Sequence, residues 1–221
     1  ADRITARLAE HRLDCVVINA PPGDVDAGER GIASLPGRER EFEESVRTAL
    51  GYAAALHCPS IHVMSGVLPA GADRERRALH RATLVRNLRT ACAMAQERGI
   101  TLLVEALNPR DVPNYLFSTQ AEAHSIRADV AAPNLKVQMD CYHTQVVEGD
   151  VTAKLEQWLP DIGHIQIAGV PGRHEPDVGE INYQWLLRRI DELGYGGWVG
   201  CEYRPLRDTH SGMSWRQRWV V

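Results

Sequence analysis

The chain has 221 residues, 44% of them hydrophobic, enough for one sizeable core, and the length points to a single domain. Its net charge of -4 supplies no basic field for gripping a phosphate backbone, so a nucleic-acid partner is not expected. The cysteines (Cys15, Cys58, Cys92, Cys141, Cys201) are odd in number, scattered and never in a C-x-x-C arrangement, which reads as reduced thiols rather than a zinc or disulfide framework.

No apolar run approaches the roughly 18 residues of a membrane span. The opening "ADRITARLAEHRLD" has the character of neither a signal nor a transit peptide, so the chain reads as soluble and cytoplasmic. That opening reads instead as an amphipathic helix with Ala1, Ile4 and Leu8 facing inward. The strand "LDCVVINAPPGD" follows and is halted by Pro21-Pro22-Gly23, and "REREFEESVRTALGYAAALH" is helical. "SIHVMSG" is a strand, and a long arginine-rich helix runs from about Asp73 to Arg98 and stops at Gly99. After the strand "ITLLVEALN" and the loop "PRDVPNY", Thr119 and Glu122 form a capping box for the next helix. The remainder reads as the strand "LKVQMD", the helix "DVTAKLEQWL", the strand "HIQIAGV", the helix "NYQWLLRRIDELG" and the strand "WVGCEYRP". Six strands alternating with helices imply a parallel α/β sheet, either doubly wound or closed as a barrel.

The faces of the strands decide between the two. A doubly wound sheet is covered on both sides and its strands should be apolar on both. Here Leu102 and Val104 oppose Thr101, Leu103 and Glu105, and Val137 and Met139 oppose Lys136, Gln138 and Asp140. Ile165 and Ile167 oppose His164, Gln166 and Ala168, while Val199, Cys201 and Tyr203 oppose Gly200 and Glu202. His62 and Asn19 stand in the same way against apolar neighbours. One apolar and one semi-polar face per strand is the pattern of a barrel lumen.

Glu105, Asp140, Gln166 and Glu202 all fall towards the C-terminal ends of their strands, the end that carries the active site in (β/α) barrels. Three converging carboxylates would repel one another and lose solvation unless a positive charge sat between them. A divalent cation is the simplest such charge, and oxygen donors suit magnesium or manganese. Any one of these residues alone has a duller explanation, since a single strand-end glutamate is ordinarily a solvated loop residue. His143 taken singly is a loop or core imidazole, and His62 a lumen filler. "PGRHEPDVGE", with Arg173, His174 and Glu175, reads as a solvated loop whose length and charge suit a substrate lid. The arginines between Arg74 and Arg98 read as a solvated helix face without function.

Four stretches, "VEALNPRDVPNY", "APNLKVQMDCYHTQVVEGD", "GHIQIAGVPGRHEPDVGEINY" and "GYGGWVGCEYRP", resemble the hydroxypyruvate isomerases of the xylose isomerase-like TIM-barrel superfamily. The resemblance extends from "LDCVVINAPPGD" to about Arg207. It implies a divalent metal held by Glu105, Asp140, Gln166 and Glu202, with Glu105 and Glu202 also serving as the acid/base pair. The implied reaction converts hydroxypyruvate to tartronate semialdehyde through an enediolate. Arg173 is then the candidate for the substrate carboxylate and His143 for a hydroxyl, with His62 grouped with them as a substrate contact.

Related readings are a ketose 3-epimerase, whose pattern has histidine where this chain has Gln166, an isomerase of 2-oxo-tetronate type, and a metal-dependent nuclease, which would need more histidines and a basic rim. A complete (β/α)8 barrel has eight strand-helix units, whereas this chain shows six. The expectation is therefore one TIM-barrel domain over 1–221, N-terminally incomplete and lacking the first two units, which admits a non-catalytic shortened form. The expected partner is a small 2-oxo or hydroxy acid, with no nucleic acid and no membrane, and homo-oligomerisation is left open.

Overall fold

The structure, a computed structural model, describes residues 1–219. The chain packs as two compact units, Ala1–Val137 and the residues from Gln138 onward. The first unit contains α1 (Asp2–His11), β1 (Ile18–Asn19), α2 (Glu39–Leu56), β2 (Ser60–His62), α3 (Arg74–Gln96), β3 (Thr101–Glu105), α4 (Gln120–Val130) and the start of β4 (Leu135–Asp140). β1, β2 and β3 pair in parallel and in chain order, with Ile18 beside Ile61 and Ile61 beside Leu102. The Leu102 N–H donates to Asn134 O at 2.8 Å, which sets the segment leading into β4 beside β3.

The helices lie where the apolar periodicity puts them. α2 buries Phe42, Val46, Ala49, Leu50, Ala53 and Leu56, a three-and-four spacing that forms one stripe. α3 opens on Asp73, whose side chain accepts the Arg76 N–H at 2.8 Å. The box at α4 is complete: Thr119 Oγ1 accepts the Glu122 N–H at 3.2 Å, and Glu122 Oε2 accepts the Thr119 N–H at 3.1 Å.

Three readings of this unit need correction. α1 buries none of its residues: Ile4 is 47% exposed, and only Leu8 packs partly against the core. The strand expected over "LDCVVINA" shrinks to Ile18–Asn19, because its parallel ladder runs against the three residues of β2 and extends only through the Ala20 N–H to His62 O bond, 2.9 Å. The arginine face of α3 is not merely solvated. Arg86 pairs with Glu39 of α2, while Arg81 pairs with Asp129 and donates to Ser125 of α4, so the face ties α3 to both flanking helices.

The second unit holds the end of β4, α5 (Cys141–Val147), α6 (Val151–Trp158), β5 (Ile162–Ile167), α7 (Tyr183–Glu192), β6 (Val199–Cys201) and α8 (Arg216–Trp219). β5 and β6 are parallel, with Ile165 beside Val199 and Gln166 beside Gly200. Its core gathers Met139, Leu155, Ile165, Ile167, Tyr183, Leu186 and Ile190. α5 is an element the sequence reading lacked, and its cause is local. Asp140 ends β4, and its side chain accepts the Tyr142 N–H at 2.7 Å, capping a helix at the next residue.

All five cysteines are free thiols. Among the described residues no helix is long and apolar enough to cross a membrane. Removing the cap acceptor with Thr119→Ala is expected to cost about 1 kcal/mol of stability, read as a lower urea midpoint at unchanged slope.

Candidate active site

Asp140 is the centre of the second unit's polar cluster. It is completely buried, with Oδ1 accepting the Tyr142 N–H and Oδ2 lying 3.4 Å from Arg173 Nη2. Burial pushes its carboxyl up to about 7, against the opposing pull of Arg173 and the Tyr142 N–H, while nearby Glu202 adds to the rise. His143 Nε2 stands 3.8 Å from the same Oδ2. The sequence reading put His143 on a loop. It is on α5 instead, 2% exposed, with its ring edge-on to Tyr142 at 5.2 Å, because the helix starts directly at the strand's last residue.

Arg173 joins two of the expected ligands. Its Nη2 donates to Glu202 Oε2 at 2.6 Å and to Asp140 Oδ2, its Nε donates to Glu202 O at 3.3 Å, and its guanidinium lies over the Tyr142 ring at 5.0 Å. Asp140 and Glu202 differ in setting, since the Asp140 side chain is 0% exposed and that of Glu202, one residue past β6, is 53% exposed. The loop carrying Arg173 is shaped by backbone. The Arg173 N–H donates to Gly169 O at 2.7 Å, and the Gly169 N–H donates to His174 O at 2.9 Å. Farther along, Gly179 has φ +126° and any Cβ there would come 2.1 Å from Val170 O, so only glycine fits.

Gln166, on β5, is held by its neighbour: Gln138 Nε2 donates to Gln166 Oε1 at 2.8 Å. Gln138, placed by the sequence on the semi-polar face of its strand, therefore orients the amide. Beside it Gly200 leaves space for the His164 ring, since a Cβ would come 2.9 Å from His164 Nε2 and 3.4 Å from Gln166 Cγ. The end of β5 is fixed by Tyr183 of α7, whose hydroxyl donates to Ala168 O at 2.8 Å and accepts from the Ala168 N–H at 3.3 Å.

Glu105 and His62 belong to the first unit. Glu105 closes β3 at 3% exposure, and its Oε2 is 3.5 Å from His62 Nε2, an ion pair when the imidazole is protonated. The other ring nitrogen, Nδ1, is 3.1 Å from Asn19 Oδ1 and is the donor, since an amide oxygen only accepts. Asn19, from β1, thus orients His62 of β2, which in turn faces Glu105 of β3.

The structure brings Asp140, Glu202, Arg173 and His143 into one cluster, with Gln166 fixed on the neighbouring strand, and sets His62 against Glu105. Sequence reasoning did not pick out Tyr142, the ring under Arg173, whose only signal was its place beside His143. It also took Glu175 for a solvated loop residue. Glu175 is 7% exposed, and its Oε1 accepts the Leu206 N–H at 3.0 Å.

The donors of the second unit suit a hard divalent cation. Asp140 Oδ2, Glu202 Oε2 and Gln166 Oε1 are all oxygen, and a fully buried carboxylate with a second one nearby needs positive charge to stay ionised. Arg173 supplies some of it, with Nη2 3.4 Å from Asp140 Oδ2. These residues could hold a magnesium- or manganese-like ion.

Residues 1–219 match the xylose isomerase-like TIM barrel family, and the chain belongs to it. It is similar to the 2-oxo-tetronate isomerase of Cupriavidus necator, 51% identical over 220 residues that cover 100% of this chain and 84% of that one. The hydroxypyruvate isomerase of Escherichia coli is 45% identical over 208 residues, covering 94% of this chain and 80% of its own length. A crystal structure described as an AP endonuclease, family 2, from Brucella melitensis superposes with a TM-score of 0.94 at 44% identity, covering 100% of this chain and 84% of that one. The expected barrel superfamily is thus the observed one.

A pH dependence of stability follows from Asp140. Its folded value, about 7, lies above the ordinary 3.8, so the protonated form favours the fold. Its contribution is fully present below the unfolded value and is lost as pH rises through the folded one. In chelator, Asp140→Asn keeps an oxygen for the Tyr142 N–H and should gain stability relative to wild type as pH rises from about 4 to about 7, with a constant difference above that. Urea denaturation across this range measures it, and a difference independent of pH would remove the assignment.

Proposed function

We propose that this chain is a metal-dependent isomerase that moves a carbonyl by one carbon in a short 2-oxo or hydroxy acid, with hydroxypyruvate and tartronate semialdehyde as the pair interconverted. The observation that carries the reading is the contact of one cationic side chain, Arg173, with two carboxylates, Asp140 at the last residue of β4 and Glu202 one residue past β6. The family and the isomerases among its relatives support it.

Glu105, Asp140, Gln166 and Glu202 are the proposed metal donors. When bound, the metal polarises the adjacent carbonyl and hydroxyl oxygens and acidifies the proton on carbon. Of Glu105 and Glu202, one removes that proton and the other delivers a proton to the neighbouring carbon. His62, oriented by Asn19, keeps the Glu105 carboxylate in place through its 3.5 Å contact. Gln138 turns the Gln166 amide. Arg173 takes the substrate carboxylate, because its planar fork matches a carboxylate's two oxygens and the Tyr142 ring holds the plane. His143, buried against Asp140, meets a substrate hydroxyl.

The second reading, an isomerase of 2-oxo-tetronate, is favoured by the 51% identity to the Cupriavidus necator protein. It would use the same residues on a chain one carbon longer, so pocket length separates the two.

The test is an assay of both substrates with and without chelator, beside Glu105→Gln and Glu202→Gln. Each variant is expected to lower kcat by about 100-fold or more, and chelator to abolish turnover until manganese is restored. Full activity in both variants would sink the mechanism. The higher kcat/KM of the two substrates assigns the reaction.

A further inference from the structure

Glu175 is a buried carboxylate that the proposed chemistry does not use. It sits in the loop after β5, two residues beyond Arg173, and its carboxylate meets the backbone beyond β6. Oε1 and Oε2 accept the Leu206 N–H at 3.0 and 3.3 Å. The loop and the segment 202–206 are tied at three further points. The Arg204 N–H donates to Arg173 O at 2.7 Å, His174 Nδ1 donates to Arg204 O at 2.9 Å, and Arg173 Nε donates to Glu202 O. The two segments therefore lie side by side, and Glu175 fastens the end of their contact. Its own backbone closes the rest of the loop, accepting the Val178 N–H at 3.0 Å.

We propose that Glu175 is a positioning residue: its carboxylate latches the 173–175 stretch onto 202–206, and the latch holds the Arg173 guanidinium between Asp140 and Glu202 in the posture that receives a substrate carboxylate. The role in substrate binding rests on the assignment of Arg173 made above; the latch itself does not. Arg173 depends on such a tether because its backbone is in the left-handed region, φ 57°, where a residue with a side chain stays only when its surroundings hold it there. The latch also explains a small residue elsewhere. Gly212, buried on the turn Ser211–Met213, admits a methyl only if the carboxylate moves, since a Cβ there would come 2.7 Å from Glu175 Oε1 and 3.2 Å from Pro205 Cβ.

Trypsin cleavage of the folded protein after Arg173 reads the latch directly, and steady-state kinetics reads its consequence. Glu175→Ala should speed cleavage at Arg173–His174 by about 10-fold while other arginines are cut at unchanged rates, because only the local opening becomes cheaper. It should raise KM by about 10-fold and change kcat by less than about threefold, the signature of a lost binding posture. Glu175→Gln retains an oxygen for the Leu206 N–H and should stay within about threefold of wild type in both readouts. It also controls for the effect of an acidic neighbour on trypsin. Gly212→Ala, which displaces the carboxylate without removing it, should reproduce Glu175→Ala and keeps the test decisive should the alanine variant fold poorly. Unchanged cleavage in Glu175→Ala and Gly212→Ala overturns the latch. Faster cleavage with unaltered KM overturns its role in substrate binding. If the wild type turns over neither substrate, the isomerase reading falls, while the cleavage result still decides the latch.

Discussion

The second unit is organised around the burial of one charge. Asp140 has no exposure at all, and a carboxylate in that position is tolerable only with donors and a cation arranged about it. The chain meets this with what lies nearest in sequence and in space. The first turn of α5 supplies the Tyr142 N–H, and the loop after β5 supplies Arg173. Those partners account for three local features: a helix that begins without a linker after β4, an aromatic ring beneath the guanidinium, and a loop backbone that turns left-handed at Arg173.

A carboxyl pushed up to about 7, with Arg173 3.4 Å from one of its oxygens, is only partly compensated. Such a residue is a poor device for stability, since an apolar side chain of similar volume would pack as well without the desolvation cost. It suits the proposed binding role, in which a bound cation would supply further charge. In the first unit Glu105 is likewise buried, at the end of β3, with His62 among its polar neighbours. In both cases a third residue orients the partner, Asn19 for His62 and Tyr142 for Arg173, so the geometry does not depend on the flexible side chain alone.

Loops divide the remaining work. The segment after β5 returns on itself through Gly169 and Gly179, both packed so tightly against backbone that a methyl would not fit. It then lies along the residues after β6. A loop held this way is a scaffold for a side chain, and the buried Glu175 ties that loop to Leu206. Its burial is what a reading of "PGRHEPDVGE" as a solvated lid does not anticipate, because the N–H that satisfies the carboxylate belongs to Leu206, 31 residues away along the chain.

Alternation within the strands was enough to establish the parallel α/β architecture, the number of strands, the capping box at Thr119 and the strand-end positions of Glu105, Asp140 and Gln166, since period two and cap chemistry are local properties. The motifs pointed to the family by themselves. Tertiary structure decided what depends on neighbours distant in the chain. It shortened β1 to the reach of its partner strand, left α1 without a buried face, and turned the arginines of α3 into ties to α2 and α4. It set Arg173 against Asp140 and Glu202, 33 and 29 residues away in opposite directions, and gave Gln138 the task of turning Gln166. Local sequence encodes which residues can carry charge and on which face they stand. Only the fold determines which charges meet, because burial and hydrogen-bond partners are set by segments that the spacing of residues does not relate.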